Sequence, residues 1–132
     1  MKTFRCYLET DREGMYDISQ SIRKIVKESG VQDGQCIVYS PHTTAAITIN
    51  ENTDPHVCED ILRALDIAFP DRVDYAHLEG NSFAHIRSSV IGPSETIIIE
   101  GGNLMLGSWQ AVYFCEFDGP RKRKYYVKIM GE

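Results

Sequence analysis

The last third of the chain is its strongest constraint. Thr96-Ile97-Ile98-Ile99-Glu100 is an apolar, β-branched run, and Gly101-Gly102-Asn103 turns the chain after it. Leu104-Met105-Leu106 begins the return, and Trp109 to Phe117 reads as a long strand. Asp118-Gly119-Pro120 then turns the chain into Tyr125 to Ile129. Short turns of this kind join antiparallel neighbours. A sheet so built has an apolar face that other elements must cover.

The first two thirds provide that cover. Thr3 to Leu8 predicts a strand, with turn residues at Asp11-Arg12-Glu13-Gly14. A helix follows, with Asp17 as N-cap and Gln20 completing a capping box. Ile18, Ile22, Ile25 and Val26 share one face of it, and Gly30 suits the left-handed end. Gln35 to Tyr39 and Ala45 to Asn50 read as two further strands. Asp54-Pro55 opens a second helix, with Val57, Ile61, Leu65 and Ala68 as its stripe, Leu62 and Phe69 widening it, and Pro70 ending it. Ser82 can cap a short third helix over Phe83 to Val90. The pattern predicts an α+β fold in one compact domain over residues 1–132. Its mostly antiparallel or mixed sheet is covered by two longer helices and one short one. An all-β fold with decorating helices is the alternative.

Charge and composition narrow the function classes. A net charge of −5 argues against non-specific nucleic-acid binding, which depends on positive charge releasing phosphate counterions. No apolar run approaches the ~20 residues of a membrane span, and the N-terminus has no signal-like apolar stretch. A cytoplasmic protein without membrane or nucleic-acid partners is the expectation. Four cysteines, Cys6, Cys36, Cys58 and Cys115, form no C-x-x-C pair and read as small hydrophobes. The basic run Arg121-Lys122-Arg123-Lys124 reads as a solvated turn and strand edge.

Candidate chemistry is concentrated in Tyr75 to His85, which carries His77 and His85 with Glu79, Gly80 and Asn81 between or beside them. His42, in Ser40-Pro41-His42-Thr43-Thr44, follows an apolar run. Three imidazoles could hold a divalent metal, zinc above all, and leave a position open for water or substrate. The residues alone leave the other reading open, in which each histidine is a separate hydrogen-bonded residue. Glu79 and Glu51 are candidates to orient a ligand histidine or act as a base. Thr44 and Asn81 could contact a ligand, while Arg87 and Arg121 are candidate phosphate contacts, each equally suited to an ion pair. Trp109 reads as core, Glu116 as part of a solvated face, and His56 as surface.

Several motifs in series carry a resemblance. Ser40-Pro41-His42-Thr43-Thr44-Ala45-Ala46, Asn50-Glu51-Asn52, Asp54-Pro55, His77-Leu78-Glu79-Gly80-Asn81 and Ala84-His85 are followed by Leu106-Gly107-Ser108-Trp109-Gln110 and Phe114-Cys115-Glu116-Phe117-Asp118-Gly119-Pro120-Arg121. Together they resemble the YjbQ-like family over nearly the whole chain. The resemblance implies a compact α+β homotrimer with His42, His77 and His85 in a shared site. It also implies thiamine-phosphate synthase-like activity, joining a pyrimidine methyl diphosphate to a thiazole phosphate with release of pyrophosphate. Magnesium would then accompany the diphosphate. A metal-dependent hydrolase and a metal- or metabolite-binding trimer without turnover are the alternatives. Tyr113, Phe114, Phe117, Tyr125 and Tyr126 are more aromatic surface than two helices easily cover, which independently suggests an interface. A subunit boundary near the histidines would let Trp109-Gln110 or Arg121 of a neighbour complete the site.

Overall fold

A computed structural model describes residues 2–132. Eight strands and three helices follow in the order β1 (Lys2–Thr10), β2 (Gly14–Asp17), α1 (Ser19–Ser29), β3 (Asp33–Tyr39), β4 (Ala45–Glu51), α2 (Pro55–Ala68), α3 (Ser82–Ile91), β5 (Ser94–Glu100), β6 (Asn103–Leu104), β7 (Gln110–Glu116) and β8 (Arg121–Gly131). The α+β expectation holds, but the strands divide into two sheets. One has the order β1-β8-β3-β5-β6 and the other β2-β7-β4, and every pairing is antiparallel.

Alternation along the strands builds the core between the sheets. Phe4, Cys6 and Leu8 of β1, Cys36 and Val38 of β3, and Tyr125, Val127 and Ile129 of β8 point inward from the larger sheet. Ile47 of β4 and Val112 and Phe114 of β7 meet them from the smaller one. The α1 face formed by Ile22, Ile25 and Val26 packs into the same core, as its spacing predicts. Asp17 accepts from the Ser19 backbone N–H, and the N-cap falls at Ile18, one residue after the expected cap, so Gln20 closes no capping box. Gly30 ends α1 at φ 72°, a left-handed conformation that glycine adopts without strain.

The second face of the smaller sheet is also covered. Ala111, Tyr113 and Cys115 alternate with the inward residues of β7 and pack beneath α2 and α3. This explains why β7 is buried on both faces from Ala111 to Glu116. Asp54 caps α2 by accepting from the His56 N–H, with Pro55 in the first turn. None of the α2 residues is fully buried, and its contact face runs through Cys58, Leu62 and Leu65 rather than Val57 and Ala68.

Several expectations are corrected here. Strand β2 goes unforeseen, because its four residues look like an extension of the preceding turn. Tyr113, Phe114, Phe117 and Tyr125 are at most 5% exposed, so they are core and offer no interface. Trp109, read as core, is 65% exposed. The basic run opens β8, which lies between β1 and β3 and is no edge, and Arg123 within it is buried. Among the described residues, no helix is long and apolar enough to cross a membrane.

Candidate functional site

Two chain crossings between the sheets frame an open cleft of about 390 Å³. The β3–β4 loop passes from the larger sheet to the smaller one and carries His42, Thr43 and Thr44. The β7–β8 turn passes back and carries Asp118 and Arg121. The loop before α3 and the first turn of α3 close the third side with His77, Glu79, Asn81 and His85. The three histidines therefore line one cleft despite their separation in sequence.

His77 and His85 stand edge to face, with ring centroids 5.4 Å apart. His77 Nε2 lies 3.8 Å from Glu79 Oε1. Asn81 and His85 are four residues apart and so share a face at the start of α3. Asn81 Nδ2 donates to Asp118 Oδ2 at 2.8 Å, and Arg121 Nη2 donates to the same oxygen at 2.8 Å. Burial raises the Asp118 pKa, but the bonds from Asn81 and Arg121 outweigh it and hold the group below the usual carboxylate value.

His42 is held differently. Its Nε2 accepts from the backbone N–H of Lys124 at 3.0 Å, so in the neutral ring Nδ1 carries the proton. Burial lowers its pKa, and the nearby Arg123 guanidinium lowers it further. The ring packs edge-on to Phe114, with centroids 6.4 Å apart. A histidine with a depressed folded pKa favours the folded state above its ordinary value of about 6.5, and this contribution is lost as pH falls through the folded value. The melting temperature is expected to decline between about pH 7 and pH 5, and His42→Gln is expected to flatten that part of the profile. A mutant profile parallel to the wild type would assign the decline to another group.

The floor of the cleft contains an ion pair that the residue pattern alone does not disclose. Glu116 is fully buried and receives Arg123 through both carboxylate oxygens, with Arg123 Nε at 2.7 Å from Oε1 and Nη2 on Oε2. Thr10 Oγ1 donates to Oε1 at 2.7 Å, and the Asp118 N–H donates to Oε2 at 3.1 Å. Burial raises the Glu116 pKa, but these bonds reverse the effect and leave it lowered. Arg123 Nη2 also donates to Thr44 Oγ1 at 2.8 Å, which fixes the loop that carries His42. The reading of Glu116 as part of a solvated face is thus overturned. A charged residue in strand alternation looks the same whether its face meets water or a buried partner.

Other candidates lie elsewhere. Arg87, on α3, is buried and donates from Nη1 to Asp66 at 2.8 Å and from Nε to the Phe69 carbonyl at 3.1 Å. It fastens the end of α2 and does not line the cleft. Glu51 and Gln110 pair at one end of the smaller sheet, whereas Ala45 and Glu116, next to the cleft, pair at the other. Trp109, whose carbonyl accepts from the Asn52 N–H, lies at the distant end with them. Within one chain, Glu51, Trp109 and Gln110 do not join the histidines.

The fit to a divalent metal is partial. His77 and His85 have the separation that two imidazoles on one zinc adopt, about 5 Å between rings. His42 does not complete the set as it stands, because its Nε2 lone pair is spent on Lys124. Among the described residues, no group of three or more His, Cys, Asp or Glu is arranged to hold a metal ion.

Comparison with known proteins matches residues 4–132 to the family model described as UPF0047 protein YjbQ-like. A UPF0047 protein of Methanocaldococcus jannaschii is 51% identical over 98% of this chain and 94% of its own length. The UPF0047 protein YugU of Bacillus subtilis is 49% identical over 92% of this chain and 93% of its own. A crystal structure of an uncharacterized YjbQ/UPF0047 protein from Clostridium acetobutylicum superposes with a TM-score of 0.94 at 55% identity, covering 96% of this chain and 99% of that one. A hypothetical protein from Aeropyrum pernix K1 superposes with a TM-score of 0.95 at 33% identity over the full length of both chains. The chain belongs to the YjbQ-like UPF0047 family.

Proposed function

We propose that the cleft binds a small phosphorylated metabolite, and that the reaction served is joining a pyrimidine methyl diphosphate to a thiazole phosphate. One observation carries the reading: His42, His77 and His85 line the same cleft as Arg121 and Arg123, within reach of an open surface. In such a reaction the charge leaving as pyrophosphate needs cations around it. Arg121 and Arg123 are the permanent cations there. Glu79 Oε1, 3.8 Å from His77 Nε2, can orient that imidazole within the cleft. A divalent metal held by His77 and His85 would supply further charge stabilisation to the same group.

Purified protein incubated with both precursors and magnesium is expected to form thiamine phosphate, and His77→Ala is expected to lower the rate to background. Equal rates for the two proteins, or no product from either, would remove this reaction. Chelator-sensitive hydrolysis of phosphate esters, lost in His85→Ala, would transfer the site to a metal-dependent hydrolase.

The same proposal includes a homotrimer, now supported by a different surface. On the outer face of the larger sheet Tyr7 is 76%, Tyr39 43% and Ile98 64% exposed, and Tyr39 stacks on Tyr126. A head-to-tail contact closing into a ring would cover such a face. It could also bring Glu51, Trp109 and Gln110 of one subunit to the cleft of the next. Light scattering at low micromolar concentration is expected to give three times the chain mass, and a monomer mass with intact fold would end this part.

A further inference from the structure

Resting on the phosphorylated ligand proposed above, we infer that Arg123 is the fixed anion-binding group of the cleft and takes one phosphate of that ligand. Its side chain is only 4% exposed, yet it lines the cleft. Glu116 and Thr44 occupy Nε and Nη2. Nη1 makes no hydrogen bond among the described residues. It is not sealed in either, because among the described residues the one fully buried side-chain atom without a partner is Asn81 Oδ1. The guanidinium is therefore held rigid by one edge, with a nitrogen left over on a residue that lines the cleft. A planar fork oriented in this way loses little freedom on meeting a phosphate oxygen.

Asn81 is held in the wall of the same cleft. The donation from Asn81 Nδ2 to the Asp118 carboxylate sets the amide orientation, since a carboxylate only accepts. Oδ1 is left as an acceptor that lacks a donor. Phosphate oxygens supply the acceptor that Arg123 Nη1 lacks, while Asn81 Oδ1 is sealed and takes no part. No side chain caps the N-terminus of α3, so its first backbone N–H groups add to the preference for an anion at this end.

Glu116 opposes the anion it helps to position. Its charge neutralises Arg123, so Glu116→Gln keeps the shape and releases the positive charge. Calorimetric titration with inorganic pyrophosphate is the test. Arg123→Lys, which keeps charge but loses the fork, is expected to bind about tenfold more weakly than wild type. Glu116→Gln is expected to bind several-fold more tightly, an outcome that structural damage does not produce. Should Glu116→Gln fail to fold, Asp118→Asn removes a second carboxylate within electrostatic reach of Arg123, at a partly exposed position, and is likewise expected to tighten binding. No pyrophosphate binding by wild type, or affinities unmoved in these variants, would overturn the inference. Binding that responds as expected without thiamine phosphate formation removes the reaction and keeps the subsite. Product formation with unmoved affinities removes the subsite and keeps the reaction.

Discussion

Replacing Glu116 with alanine is expected to cost about 3–5 kcal/mol of folding stability, the range for breaking a buried ion pair from one side. The loss comes from what remains. Arg123 stays buried beneath the cleft with its charge uncompensated, and the Thr10 hydroxyl and Asp118 N–H lose their acceptor. Urea unfolding followed by circular dichroism measures the change. Replacing Glu116 and Arg123 together with apolar residues of similar volume is expected to recover most of it, because the pair's attraction largely repays its own desolvation. A loss below about 1 kcal/mol for the single substitution would mean that water reaches Arg123 when its partner is removed.

The second large effect is expected at Phe114, where truncation to alanine should cost about 3–5 kcal/mol. Phe114 is fully buried at the centre of the inter-sheet core, with its ring 6.2 Å from that of Tyr125. Strand β7 is covered on both sides, by α1 and the larger sheet on one and by α2 and α3 on the other, so collapse around the cavity is restricted. The same ring supports the edge of His42. Loss of stability should therefore be accompanied by a shifted His42 imidazole resonance in the NMR spectrum. A stability loss with that resonance unmoved would separate the core from the cleft.

Local chemistry made much of the chain legible. Gly30 ends α1 because only a residue without Cβ turns left-handed there at no cost. Asp54-Pro55 opens α2 because one caps its first N–H groups and the other needs none. The spacing of Ile22, Ile25 and Val26 names the covered face of α1. The resemblance groups His42, His77 and His85, and the fold brings all three to the lining of one cleft. Tertiary structure decided the rest. Alternation tells which residues share a strand face, but says nothing of the sheet that strand joins or of what covers its other side. That is why the division into two sheets, the double burial of β7 and the position of Trp109 had to be observed. It is also why Glu116 and Arg123 read as solvated. They lie on strands of different sheets, and only the turn between those sheets carries one charge over the other, where burial makes their attraction strong.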